Sequence, residues 1–240
     1  MLTRRSFFIG SVALTTNARI AASQVVTGLA PLSYPGFSTF PTPRTFDGPG
    51  TVFRVTPDGR RFSVGNISVP VQSGSEYIGN LEQSSDWNVS VLARFLNLVN
   101  ITDTTGGQKS SVHVVLGSAA RKSTYDGDVD IALKAANLNM TRPGSYFIIR
   151  DVISVDQIEY ALSESWVAAL GASIDARPEA SGQASFSWKG TNSTTLVQRF
   201  AESHNIFYLP ERLLKPFGSD TAGVIRVKVD DPLSWIDANE

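Results

Sequence analysis

Asp58-Gly59 lies between two runs of alternating residues, 51–56 (TVFRVT) and 61–65 (RFSVG). An Asp-Gly pair supplies the positive φ angles that a two-residue hairpin turn needs, so these residues predict strand, tight turn, strand. A lone hairpin is only marginally stable in water. The chain must therefore extend it into a larger antiparallel sheet.

Further strands are available. Residues 111–116 (SVHVVL) and 146–153 (YFIIRDVI) are rich in β-branched side chains. Ala184, Phe186 and Trp188 alternate with polar neighbours before the turn at 189–194, after which 195–200 returns as a second strand. Strands at 205–209 and 223–229 complete the sheet, with Pro210 and Pro216 marking a loop between them. Asp86 is an N-cap candidate for a helix through Asn100, with Leu92, Phe95, Leu96 and Val99 on one face. Residues 128–137 form a short helix begun by acids. A helix between two strands at this spacing permits a βαβ crossover, so a parallel pair is open and the sheet is mostly antiparallel or mixed. Ser154 and Gln157 match a capping box, and Val155, Ile158, Leu162, Trp166 and Ala169 carry a helix to Gly171. The competing reading continues the strand through Ile158, Tyr160 and Leu162 and starts a shorter helix around Trp166. The fold class is α+β, with two or three helices in a single domain over 51–240.

Before that domain, 23–50 is an arm in which Pro31, Pro35, Pro41, Pro43 and Pro49 oppose helix and most sheet pairing. Its aromatics, Tyr34, Phe37, Phe40 and Phe46, either pack along the body or dock onto a partner. Residues 1–22 read as an export signal: Arg4 and Arg5 form a positive start, 7–14 (FFIGSVAL) a short apolar stretch, and 20–23 (IAAS) supplies small residues for cleavage. Thr3, Arg4, Arg5 and Phe7 resemble twin-arginine (Tat) signal peptides, with Phe8 where Leu is usual. The resemblance implies export of a folded domain, periplasmic or secreted. The apolar stretch is too short for a spanning helix, which needs roughly 20 residues.

Losing 1–22 removes Arg4, Arg5 and Arg19 and no acid, so a formal charge of −1 becomes −4. A mildly acidic body argues against a nucleic-acid partner, which would need a basic face. The absence of Cys excludes thiolate catalysis, iron–sulfur clusters and Cys-ligated zinc, and two histidines cannot build a three-His metal site. Neither a nucleotide-binding Gly-rich loop nor a Walker pattern occurs, so no cofactor is expected.

The candidate chemistry is sparse. Asp126, Asp128 and Asp130 occupy the first, third and fifth positions of a calcium loop, but Ile131 replaces the required Gly and Asn137 the required Glu. A helix start explains the same acids. His113 is expected as a structural histidine in its strand. His204, with Glu202 and Ser203 beside it, is the catalytic candidate for a hydrolase, although residues 202 and 204 share one strand face and Ser203 points away. The alternating hairpin at 179–200 has the period and length of a membrane-inserting β-hairpin, which leaves transient membrane contact open. By elimination the sequence favours a cofactor-free binding or interaction module for an unknown protein or small molecule, with Tyr34, Phe37, Phe40, Phe46, Phe186 and Trp188 as the contact surface. The alternatives are a membrane-active protein using 179–200 and a hydrolase using His204 and Glu202.

Overall fold

The computed structural model describes residues 30–72, 75–98, 109–136, 138–175, 184–191, 193–214 and 225–228. Residues 1–22, read from the sequence as an export signal, lie outside them. Among the described residues, nine strands and three helices follow one another as β1 (Ser38–Arg44), β2 (Thr51–Val55), β3 (Arg61–Asn66), β4 (Glu76–Asn88), α1 (Val89–Phe95), β5 (Lys109–Lys122), α2 (Asp126–Ala136), β6 (Ser145–Ala161), α3 (Glu164–Asp175), β7 (Ala184–Trp188), β8 (Thr195–Leu214) and β9 (Ile225–Lys228).

The hairpin expected around Asp58-Gly59 forms as β2–β3, closing at Val55↔Arg61. Gly59 N–H donates to Thr56 O at 2.8 Å across its turn. All described pairings are antiparallel, so the βαβ crossover that the spacing permits is not built. β5 and β6, on either side of α2, pair directly with each other from His113↔Ala161 to Lys122↔Val152.

β6 and β8 are the spine. At one end β6 lies between β2 and the 205–213 part of β8; at the other it lies between β5 and the 195–200 part. Their 17 and 20 residues correct two sequence expectations. The strand at 146–153 continues to Ala161, so the helix read from Ser154 is the competing strand followed by α3. Strands 195–200 and 205–209 are one strand that also contains Pro210. That proline faces Ile149 next to a register shift, where a missing N–H costs least.

The arm is likewise part of the sheet. β1 pairs with β8 at Ser38↔Tyr208, Thr39↔Phe207 and Arg44↔Asn205, and Pro41 and Pro43 fall in the shifted stretch between those contacts. The helix expected from Asp86 to Asn100 starts at Val89 and ends at Phe95; Asn88 caps it by accepting from Val91 N at 2.7 Å. Residues 76–88, which include the expected cap Asp86 and otherwise carried no strand expectation, are β4.

Glycine is obligatory at Gly50, where φ is +92° and a Cβ would stand 2.2 Å from Ile67 O. Its N–H donates to Ile149 O and its carbonyl accepts from Ile67 N, stitching β6 to the residues that follow β3.

Candidate functional site

Five strands at one end of the sheet, in the order β4-β5-β6-β8-β7, form a panel whose pairings line up into continuous rows. One row runs Gln83, Val114, Tyr160, Leu196, Trp188; the next same-facing row runs Leu81, Leu116, Ile158, Gln198, Phe186. Between them, facing the other way, run Glu82, Val115, Glu159, Val197 and Ser187. A pleated strand turns successive side chains to opposite faces, so the panel has an apolar inner face and a more polar outer one.

The inner face is covered by the chain's own helices. Trp166, Leu170 and Ile174 recur every four residues on α3 and join the same buried cluster as Val114, Leu116, Ile158, Tyr160 and Leu196. Leu92, Phe95 and Leu96 at α1 belong to it too, with Trp87 edge-on to Phe95 at 5.5 Å between ring centres. Each helix lies in a connection between panel strands: α1 between β4 and β5, α3 between β6 and β7. Residues 30–37 add a further cover, as Ala30, Leu32 and Phe37 sit in this cluster.

Two polar groups on the inner face are paired. Gln83 exchanges hydrogen bonds with the Ser33 backbone, and Tyr160 OH donates to Gln198 Oε1 at 2.8 Å. Complete burial pushes the Tyr160 phenol well above its ordinary pKa.

The sequence-predicted site residues are dispersed. Tyr34 is half-buried and packs on Phe37 and Phe207, and Phe40 is 0 % exposed against Tyr208. Phe46 is 63 % exposed, with the Arg44 guanidinium 5.5 Å from its ring centre. Phe186 and Trp188 pack partly buried against the main core, where Trp188 Nε1 reaches Asp175 Oδ1 at 3.4 Å. These six side chains do not make one surface: the arm's aromatics mostly fill the protein's own core.

His204 is 5 % exposed, stacks on Phe200 at 4.1 Å and places Nδ1 2.7 Å from the Glu202 backbone carbonyl rather than its carboxylate. Burial holds its pKa below the ordinary value. Ser203 donates instead to Asp156 Oδ1 at 2.5 Å, so residues 202–204 are not arranged as a nucleophile–base pair. His113, expected among apolar neighbours, faces outward with Nδ1 3.0 Å from Ser84 Oγ. Asp126 and Asp128 occupy the first turn of α2, Asp126 paired with Arg150 at 3.2 Å. Among the described residues no group of three or more His, Cys, Asp or Glu is placed to hold a metal ion.

Sequence reasoning missed β4 and β5 as a long pair. Their ladder is unbroken from Leu81↔Leu116 to Asn88↔Lys109, whereas the described part of the expected hairpin at 179–200 is a short ladder from Ala184↔Phe200 to Trp188↔Leu196. Residues 176–183 lie outside the described residues. Among the described residues no helix is long and apolar enough to cross a membrane, which says nothing of strands.

No family model matches the chain, and no curated protein sequence does. Among solved structures it is similar to a bacterial gasdermin from Bradyrhizobium tropiciagri: the TM-score is 0.55 at 15 % identity, over 84 % of this chain and 89 % of that one. The shared fold, together with the burial of the arm's aromatics, overturns the expectation of a binding or interaction module.

Proposed function

We propose that the chain is a pore-forming protein that inserts panel strands into a lipid bilayer as amphipathic β-hairpins. The observation that carries this is a five-stranded antiparallel panel with one apolar face, masked by helices that lie in the connections of the strands they cover. Fold similarity to a gasdermin, a pore-forming protein, supports the same reading.

The physical logic concerns where the apolar face finds cover. Helices α1 and α3 supply it in the described state. Once they swing away, the rows through Leu81 and Gln83 need another apolar medium, and lipid provides one. Backbone N–H and C=O groups can enter a bilayer only if fully paired, which a closed antiparallel barrel of many copies achieves. A spanning strand takes roughly 9–11 residues. β4, β5, β6 and β8 have 13, 14, 17 and 20, whereas β7 has 5 described residues. The β4–β5 pair is therefore the better insertion unit than 179–200 alone.

The test is dye release from vesicles combined with single-cysteine scanning, for which a cysteine-free chain is a clean background. An environment-sensitive fluorophore at Leu81 or Gln83 should report a lipid environment after insertion, and at Glu82 or Ser84 an aqueous one. No release over a range of lipids and pH values, or labels without this period of two, would overturn the reading. Export remains a separate proposal, resting on Arg4 and Arg5. Replacing both with Lys in a reporter fusion of residues 1–24 should block export by the twin-arginine route.

A further inference from the structure

At the opposite end of the sheet from the panel, Phe62, Arg54 and Tyr146 form one cross-strand row over β3, β2 and β6. This row floors a cavity of about 270 Å³ that Ser63, Asn139 and Arg142 help to close. Ligand pockets start at about 300 Å³, so the space suits a small molecule of roughly one ring and one charged group.

The lining holds two arginines and no acid, with Phe62 and Val64 supplying apolar surface. Arg54 is fixed from two sides, as Nη1 donates to Pro143 O at 2.7 Å and its guanidinium carbon lies 4.9 Å from the Phe62 ring centre. Arg142 is exposed at the rim, and its backbone carbonyl accepts from Tyr146 OH at 3.2 Å. The Asn139 carbonyl oxygen accepts from Thr141, which leaves the amide hydrogens as its remaining polar groups. Gly144, at φ +133°, lets the 139–143 segment approach β2, since a Cβ there would stand 2.5 Å from Val55 O.

Five other arginines rest on carboxylates, Arg44 and Arg61 on Asp47, Arg60 on Asp58, Arg121 on Asp151 and Arg150 on Asp126, whereas Arg212 donates to Ser145 Oγ, and Arg94 and Arg199 meet no carboxylate among the described residues. Arg54 and Arg142 have no carboxylate partner among the described residues, in a chain whose formal charge is −1. Two arginines lining one small space with no acid suit a doubly charged ligand. Guanidinium forks match phosphate oxygens, and a phosphomonoester carries close to two negative charges at neutral pH.

We propose that this cavity binds a phosphomonoester group attached to a small ring or apolar stem, with Arg54 and Arg142 on the phosphate and Phe62 and Tyr146 against the stem. The site does not depend on the pore reading. Its phosphate could come from a soluble ester or from a lipid headgroup, and both share this chemistry.

Calorimetric titration of the full chain with phenyl phosphate should show saturable binding, tighter than inorganic phosphate or phenol. Arg142→Gln, at an exposed rim position, should leave the melting temperature in place and weaken phenyl phosphate at least about tenfold, the size expected for a lost charged hydrogen bond. Arg54→Gln should weaken it similarly. A second arm compares co-sedimentation with phosphatidic acid and phosphatidylcholine vesicles. Retention specific to phosphatidic acid that phenyl phosphate displaces and Arg142→Gln abolishes identifies the lipid source. Phenyl phosphate binding without such retention identifies a soluble ester. The proposal is overturned if phenyl phosphate gives no saturable heat up to about 10 mM, near the weak end of measurable affinities, or binds the Arg142→Gln variant as tightly as the native chain.

Discussion

Gln83 on β4 and Ser33 on the arm hold each other by two reciprocal hydrogen bonds: Ser33 N–H donates to Gln83 Oε1 at 2.9 Å, and Gln83 Nε2 donates to Ser33 O at 2.8 Å. Gln83 belongs to an otherwise apolar row, so its amide acts as a catch that keeps the arm over the panel. Gln83→Leu removes the catch and makes the row more apolar. Both bonds are solvent-accessible, so the loss should be modest, about 1–2 kcal/mol for the pair, or a few degrees in a chain of this size. Dye release from vesicles should become several-fold faster at equal protein concentration. A slower release would place the arm outside the transition.

How legible this panel was in the sequence depended on side-chain arithmetic. The β2–β3 hairpin was readable because the Asp58-Gly59 turn chemistry is local. β4 was not, since its inner face carries Gln83 and Ser85 between Leu81 and Trp87 and its outer face is wholly polar at Glu82, Ser84 and Asp86. The stretch after Ile153 misled for a different reason. Ile158, Leu162 and Trp166 are spaced by four, which is one face of a helix and also, being even, one face of a strand. Ser154, read as a cap, is instead buried and donates to Ala120 O at 3.4 Å across the sheet. Of the candidate site, the alternation at 184–200 was visible, and so were helices within 86–100 and around Trp166; their role as covers was not, because nothing local says which strands a helix packs on.

Tyr160 and Gln198 make the second polar contact of the inner face, and both are buried. Tyr160→Phe leaves the Gln198 carbonyl oxygen without its donor in a dry site, a cost of about 1–3 kcal/mol. Adding Gln198→Leu removes the stranded group and should recover most of that loss. Denaturant unfolding of the two single variants and the double variant measures the coupling; a double variant as unstable as the sum of the singles would mean the bond contributes little.

His204 makes stability depend on pH. Burial is the largest influence on it and lowers its native pKa, against smaller opposing effects from Glu202. In the unfolded chain the imidazole titrates near 6.5. Between the lowered native pKa and that value the unfolded state binds more protons, so stability rises with pH across the window. Above about 6.5 both states are neutral and the group contributes no slope. As pH falls below that, stability should decline until the native imidazole also protonates. His204→Gln should flatten this part of the profile relative to the native chain, measured by urea unfolding from about pH 5 to pH 8. An unchanged slope would assign the dependence to other groups.

Asp151 is 0 % exposed and stands at the junction where β6 passes from its β2 neighbour to its β5 neighbour. The Arg121 guanidinium of β5 bonds its Oδ2, and Arg150 Nε lies 3.7 Å from Oδ1. Arg150 also reaches Asp126 on α2 at 3.2 Å and Glu211 on β8 at 3.4 Å, so one buried carboxylate anchors charges from three elements. Asp151→Asn keeps the shape but removes the charge that both guanidiniums face. Removing one partner of a buried pair costs about 3–5 kcal/mol, and Arg121, about a third exposed, regains some hydration, which places this variant near the lower bound. The expected outcome is a melting temperature lower by roughly 6–12 °C at 2–4 °C per kcal/mol. Arg121→Met should fall by less, because Arg150 remains beside the carboxylate. If Asp151→Asn melts with the native chain, the junction is held by its backbone ladder and apolar packing rather than by charge.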